Sequence, residues 1–301
     1  IIGGGISAFT AALYTARASL KPLVISGVEP DQLSLTTVVE NYPGFPQGIM
    51  GPELIQDCKK QAQRFGAEYV EGRADSFKKI KNGFEITVEK KTYPSRTVII
   101  STGASARKLG IPGEDKYFGK GVSTCAVCDA ALYRDKIAVV VGGGDSAMEE
   151  TLALYKFAKK VYIVHRRDAF KASKIMQDRV LKLKDKIDVI WNTDVLEVKG
   201  NKFVESIKLK NIQTGKITEL KCDGMFLAIG HIPNTALFKN AVTLDEHGYI
   251  ITDKFGKTNI EGVYAAGDVQ DPVFKQAVTS AGTGCMAALN AERYLEYLKA
   301  E

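Results

Sequence analysis

The sequence predicts an α/β protein of two Rossmann-like dinucleotide-binding domains, each three-layered, the second inserted into the first. Two observations carry this. A strand, a G-x-G-x-x-A turn, a helix and a further strand follow one another at the start of the chain and again in its middle. The second copy is also flanked on both sides by segments where glycine, proline and charge cluster and the strand pattern breaks.

In the first copy, Ile1-Ile2 is strand-like, Gly3-Gly4-Gly5-Ile6-Ser7-Ala8 is the turn, residues 9–17 read as helix and residues 22–25 as strand. Glycines at positions 3 and 5 let the backbone turn tightly and approach a pyrophosphate. At the helix N-terminus, unpaired N–H groups and the helix dipole favour negative charge. The second copy runs through strand-like residues 136–141, the turn Gly142-Gly143-Gly144-Asp145-Ser146-Ala147, a helix over 148–158 and a strand over 161–164. A tight structural turn can produce one such motif by itself. Two copies, each set between strand and helix, predict two dinucleotides on two domains.

Residues 84–88 and 97–101 read as strands leading to Ser101-Thr102-Gly103-Ala104. Residues 203–210 and 217–229 form a second strand set ending in Ala228-Ile229-Gly230. Both ends suit a strand terminus turned over a nucleotide. Residues 113–121 and 230–234 are the candidate linkers. Near the C-terminus, residues 262–268 form a short strand ending in Gly267-Asp268, followed by a helix over 276–298. That aspartate suits ribose or ribityl hydroxyls. Alone it would read as an ordinary helix cap, but beside the N-terminal turn the ligand reading is the better one.

A chain of 301 residues exceeds what one compact core usually needs, in keeping with two domains. With 45% hydrophobic and 25% charged residues it is neither disordered nor fibrous. The longest apolar runs, such as 137–141, fall far below the ~20 residues of a membrane span, so no membrane partner is expected. The net charge is +6, but the 41 basic and 35 acidic residues are interspersed, which predicts a solvated surface and no nucleic-acid partner. Beyond one close cysteine pair, Cys58, Cys222 and Cys285 are isolated and are expected as small buried hydrophobes. No disulfide framework is suggested, so a reducing, cytoplasmic setting is expected. Because the chain starts inside a strand, further residues are expected to precede Ile1.

Cys125-Ala126-Val127-Cys128-Asp129 carries the chemistry. The Cys-x-x-Cys spacing permits half a zinc site or a redox disulfide. Zinc would need a second ligand cluster, and His165, His231 and His247 are not spaced as one, so no metal is expected. Two cysteines this close can form a disulfide that accepts two electrons together next to a flavin and, as thiols, pass them on by exchange. Asp129 adjoins the pair and is a candidate proton donor, the alternative being an ordinary loop aspartate.

With these residues in view, nearly the whole chain resembles the low-molecular-weight thioredoxin reductases. The carrying segments are Val39-Glu40-Asn41-Tyr42-Pro43-Gly44-Phe45-Pro46, Ala104-Ser105-Ala106-Arg107, the Cys125 segment, the second turn, His165-Arg166-Arg167-Asp168, and Gly267-Asp268 with Gln276-Ala277. The resemblance implies an FAD domain (1–113 and 231–301) interrupted by an NADPH domain (114–230) that carries the dithiol. It implies FAD contacts at Gly3, Gly5, Gln32, Leu33, Asn41, Thr102, Gly103, Gly267, Asp268, Gln276 and Ala277. NADPH contacts are implied at Gly144, Asp145, Ser146, Ala147, His165, Arg166, Arg167 and Lys171. Cys128 would face the flavin, Cys125 would attack a thioredoxin-like disulfide, Asp129 would supply protons, and the protein would be a homodimer. The residues themselves agree on the donor, because guanidinium groups after the second strand of a dinucleotide unit suit a 2′-phosphate. Basic residues capping a strand end are the plainer alternative.

The chain departs from the family pattern in three places. Pro30-Asp31-Gln32-Leu33 stands where Gly-Gly-Gln-Leu is usual, Lys171 replaces an arginine, and Asp129-Ala130-Ala131-Leu132-Tyr133 lacks the glycine and paired aromatics that usually follow the aspartate. A different electron donor or acceptor on the same fold, such as ferredoxin, free flavin or a small dithiol, remains an open alternative.

Overall fold

The computed structural model describes residues 1–35 and 38–300. Contacts divide the chain into an outer unit, Ile1–Ser105 with Ile232–Glu301, and an inner unit, Ala106–His231. Six helices are used below: α1 (Ile6–Arg17), α2 (Gly51–Arg64), α3 (Ala126–Asp129), α4 (Asp145–Tyr155), α5 (Lys174–Leu181) and α6 (Ala277–Ala300). No helix among the described residues is long and apolar enough to cross a membrane.

In the outer unit, Ile2 bridges Ile25 on one side and Ile100 on the other, both in parallel. Leu23–Ile25 pairs with Glu68–Val70, and Val98–Ile100 with Val263–Ala265, also in parallel. Leu23–Ile25, Val98–Ile100 and Val263–Ala265 are continuous apolar runs because both faces of the layer are covered there, whereas Glu68–Val70 begins with an exposed glutamate. Ile99 and Tyr264 pack with Ala287, Ala288 and Ala291 of α6, whereas Ile25, Ile100 and Val263 pack with Phe84, Ile86 and Val88. Those last three come from the antiparallel sheet Ala74–Ile80, Gly83–Val88, Lys91–Ser95, where alternate residues point inward. Helix α1 lies against α6 at a point where only glycine fits, since a Cβ on Gly284 would overlap the Ser7 carbonyl oxygen.

The inner unit holds a five-stranded parallel sheet in the order Val122–Ser123, Gly224–Ala228, Ile137–Gly142, Lys160–Val164, Ile187–Ile190. Its central strand shows the period of two directly. Ala138 and Val140 pack with Ala147, Met148 and Leu154 of α4, while Val139 and Val141 face Val195, Ile207 and Leu209 of the antiparallel sheet Thr193–Gly200, Val204–Asn211, Ile217–Lys221. Each unit is thus three-layered, as the sequence predicts.

Three local expectations change. Residues 217–229 are not one strand set: Ile217–Lys221 belongs to the antiparallel sheet and Gly224–Ala228 to the parallel one. The break falls at Cys222-Asp223, where the Asp223 carboxylate accepts the Ile137 N–H (2.8 Å), and a Cβ on Gly224 would overlap the Tyr133 hydroxyl. Residues 113–121, expected as a linker, are packed within the inner unit. Glu114 is only 2% exposed and accepts N–H bonds from Leu109, Gly110 and Ile111, and the Tyr117 hydroxyl donates to the Gly200 carbonyl. Of the isolated cysteines only Cys222 is buried, while Cys58 and Cys285 are half-buried.

Candidate active site

In the outer unit the expected cofactor residues gather around the start of α1. Gly3 has φ +137°, and a Cβ there would overlap the Ser101 carbonyl oxygen, so this glycine lets the turn press against the strand end preceding Thr102-Gly103. Gly5 is the N-cap of α1, with extended backbone and no side chain capping the first turn. Among the described residues a Cβ on Gly5 would meet only the Asp31 Cβ, at 3.8 Å, so none of them crowds the helix N-terminus at this point. Uncapped N–H groups behind a glycine-only cradle fit a pyrophosphate.

The altered Pro30-Asp31 segment is an ordered turn. Asp31 accepts from the N–H groups of Leu33 (2.9 Å) and Ser34 (3.3 Å), and burial pushes its carboxyl up while the Ser34 bonds pull it back. Gln32 is exposed and Leu33 packs with the α1–α2 core. The Thr102 hydroxyl donates to the Asn234 carbonyl (2.7 Å), and the Asn234 amide returns a bond to the Thr102 carbonyl (2.9 Å). Asn41 donates to the Gln276 side chain at 3.3 Å, joining two segments far apart in sequence.

Asp268 does not cap α6. It lies in the 3₁₀ turn Gly267–Val269 and accepts from Ser280 (2.9 Å) within the helix, and burial raises its carboxyl. Gly267 (φ +77°) closes that turn against Ser7 at the start of α1. Gln276 and Ala277 sit at the entry to α6, where the Gln276 N–H reaches the Thr279 hydroxyl (3.3 Å).

The inner unit repeats the arrangement at α4. Gly144 is an extended N-cap with no side-chain cap, and among the described residues a Cβ on it would meet nothing within 4 Å. Behind it, a Cβ on Gly143 would overlap the His165 ring, which is packed with Phe170 and Trp191 and donates from Nε2 to the Ala169 carbonyl (3.1 Å). Burial first, and then the charges of Arg167 and Arg166, hold the His165 pKa below its usual value, so the ring is neutral at pH 7.

The loop from Arg166 to Ser173 is pinned to the turn twice. The Lys171 and Ala172 N–H groups both donate to the Gly143 carbonyl (2.7 and 3.0 Å), and the Ser173 N–H and hydroxyl both donate to the Asp145 carboxylate (2.9 and 2.7 Å). Asp145 therefore serves the loop, and these bonds hold its pKa low. Exposed Arg166, Arg167 and Lys171 lie on this pinned loop. Ser146 is exposed and Ala147 fully buried against the sheet. An open helix N-terminus beside a held cationic loop fits a phosphorylated dinucleotide.

Also in the inner unit, Cys125 and Cys128 form a disulfide. Cys125 is the N-cap of the single-turn helix α3, and its Sγ accepts the Cys128 N–H at 3.2 Å, while its own N–H reaches the Ser123 hydroxyl at 3.1 Å. The Asp129 N–H closes the turn on the Cys125 carbonyl (3.2 Å). Ala131 and Leu132, the departures beyond Asp129, are exposed, and Tyr133 is buried with its ring on Phe226.

One residue escapes the sequence reading entirely. Glu150 of α4 accepts the Ala126 N–H at 2.5 Å, and burial followed by the charge of Asp129 pushes its carboxyl up to about 8. Its only sequence signal is an acidic residue on an otherwise apolar helix face.

Comparison with known proteins places these features. The family model described as pyridine nucleotide-disulphide oxidoreductase matches residues 1–284. A thioredoxin reductase of Rickettsia conorii is 49% identical over 302 residues, covering 98% of this chain and 97% of that protein, and one of Streptomyces coelicolor is 47% identical, covering 100% and 94%. The solved thioredoxin reductase of Streptococcus pyogenes is similar with a TM-score of 0.93 at 41% identity, covering 98% of this chain and 97% of that one. With two dinucleotide turns, a held cationic loop and a Cys-x-x-Cys disulfide in the positions described, this chain belongs to the pyridine nucleotide-disulphide oxidoreductases and, within them, to the thioredoxin reductase family.

Proposed function

We propose that the protein is a flavoprotein disulfide reductase that takes electrons from NADPH and delivers them, through Cys125 and Cys128, to a thioredoxin-like protein disulfide. The observation that carries the reading is the Cys125–Cys128 disulfide on the same unit as a phosphate-binding turn with a cationic loop. FAD, when bound, supplies the two-electron relay between nicotinamide and disulfide. The Gly3–Gly5 turn and uncapped α1 would hold its pyrophosphate, with Asp268 on its hydroxyls and Asn41, Gln276, Thr102 and Leu33 around it. The Gly144 turn would hold the NADPH pyrophosphate, and Arg166 and Arg167 its 2′-phosphate.

In exchange with a partner, the Cys125 thiolate would form a mixed disulfide and expel a partner thiolate, to which the Asp129 carboxylate would relay the proton leaving the Cys128 thiol. The Cys128 thiolate so formed would attack Cys125 Sγ, closing the internal disulfide and expelling the partner's second sulfur as a thiolate that takes its proton from solvent. Three cysteines outside the pair remain free thiols, which suits a reducing compartment; the reading places the enzyme in the cytoplasm as a homodimer. The test is NADPH oxidation by the flavin-loaded protein with a panel of thioredoxin-like disulfides. Turnover with at least one is expected, and NADPH oxidation that no protein disulfide accelerates would overturn the reading.

A further inference from the structure

Glu150 sits 24 residues from Ala126 in sequence, yet its carboxylate takes the N–H directly after Cys125, at 2.5 Å. That bond fixes the peptide on which Cys125 is mounted. The same carboxyl lies in the field of Asp129, which follows Cys128 in the same short helix, and of its own neighbour Glu149. Tyr133, on the next turn, also faces Asp129. Burial makes a charge on Glu150 costly, the Ala126 N–H offsets part of that cost, and the neighbouring Asp129 charge adds to it, so the buried carboxyl retains a proton.

We propose that Glu150 is a positioning residue of the dithiol: it anchors the Cys125 loop through the Ala126 N–H and keeps a proton, so that the Glu150–Asp129 pair carries a single charge beside the sulfurs. A thiolate formed on reduction then meets one neighbouring negative charge instead of two. Once Glu150 ionises, the thiolate is opposed more strongly and its formation is held back. This rests on the dithiol reading above and adds a residue outside the Cys-x-x-Cys-Asp segment to it.

The test uses flavin-loaded protein reduced with dithiothreitol and freed of reductant, without NADPH or a protein partner, so a failure of the NADPH reading leaves it unaffected. The rate of iodoacetamide alkylation at Cys125 and Cys128 is followed from pH 6 to 9.5 in wild type, Glu150→Gln and Glu149→Gln. Glutamine keeps the acceptor for Ala126 and stays neutral. Wild type and Glu150→Gln should therefore agree at pH 6 and diverge as pH rises, the variant reacting about threefold or more faster above pH 8, equivalent to half a pKa unit. Glu149→Gln should follow wild type.

Superimposable curves for wild type and Glu150→Gln, or a constant offset at every pH, would overturn the proposal. Independently of any variant's folding, infrared difference spectra of the oxidised wild type should show a protonated carboxyl at pH 7 that titrates away in the alkaline range. A fully ionised carboxyl set at pH 7 would overturn it too.

Discussion

Replacing Arg166 and Arg167 by alanine should convert the enzyme from an NADPH-preferring reductase to an indifferent one. Both side chains are exposed and stand on a loop fixed by its backbone, so their removal leaves the loop's own bonds to Gly143 and Asp145 in place. A hydrogen bond to a charged group is worth about 1.5–3 kcal/mol, and exposure puts these at the lower end. At 1.4 kcal/mol per factor of ten, each truncation should cost about tenfold in kcat/KM for NADPH. Neighbouring charges add imperfectly, so the double variant should lose between about tenfold and a hundredfold. Lys171→Ala, a point charge without a planar fork, should cost less, about threefold. Efficiency with NADH should stay within about twofold, since it has no 2′-phosphate to lose contact with. The assay is steady-state turnover with each nucleotide against one protein disulfide, with melting temperature as the folding control. An equal fall for NADPH and NADH would show that the loop does not read the 2′-phosphate.

The remaining predictions concern the frame and the partner. Gly143→Ala would drive a Cβ into the His165 ring, which Phe170 and Trp191 keep from swinging away, so a loss of about 1–3 kcal/mol in stability and a raised KM for NADPH are expected from thermal melting and kinetics. Glu150 has a folded-state pKa raised to about 8 from 4.5, so the folded state holds a proton the unfolded chain has released, and stability falls as pH rises between these values. Glu150→Gln should accordingly gain melting temperature relative to wild type at pH 9 and little at pH 5; an equal gain at both would refute the linkage. Ala131 and Leu132 present small aliphatic groups where the family resemblance places aromatic anchors, so an unrelated thioredoxin should show a raised KM that Ala131→Phe with Leu132→Phe lowers. Matching KM values for unrelated and cognate partners before substitution would mean that docking does not use these positions.

What could be read in the sequence is what is local in the chain. Both G-x-G-x-x-A turns declare themselves because strand, glycines and helix are contiguous, and the close overlaps at Gly3 and Gly143 explain why those positions are glycine. The Cys125–Cys128 pair is legible for the same reason. Contacts across long separations are not. Nothing near Glu150 in sequence announces the Ala126 N–H, and nothing near Asp145 announces that its carboxylate holds Ser173. The strand set at 217–229 misleads because both halves have strand character and only the short Asp223-Gly224 pair, beside buried Cys222, marks the change from one sheet to the other. Glycine and charge at 113–121 suggest a linker, whereas Glu114 spends its charge on three backbone N–H groups of the same unit. The Pro30-Asp31 departure removes glycines, yet Asp31 rebuilds the turn with its own carboxylate.

The central claim, that electrons from NADPH arrive at Cys125 and Cys128, is tested most directly by counting thiols. Flavin-loaded protein is denatured and alkylated under anaerobic conditions before and after one addition of excess NADPH, and the modified cysteines are mapped by mass. Of five cysteines, three are free and two are joined, so the account predicts three modified sites before NADPH and five after, the new ones being Cys125 and Cys128. Bleaching of the flavin with the count still at three would contradict it.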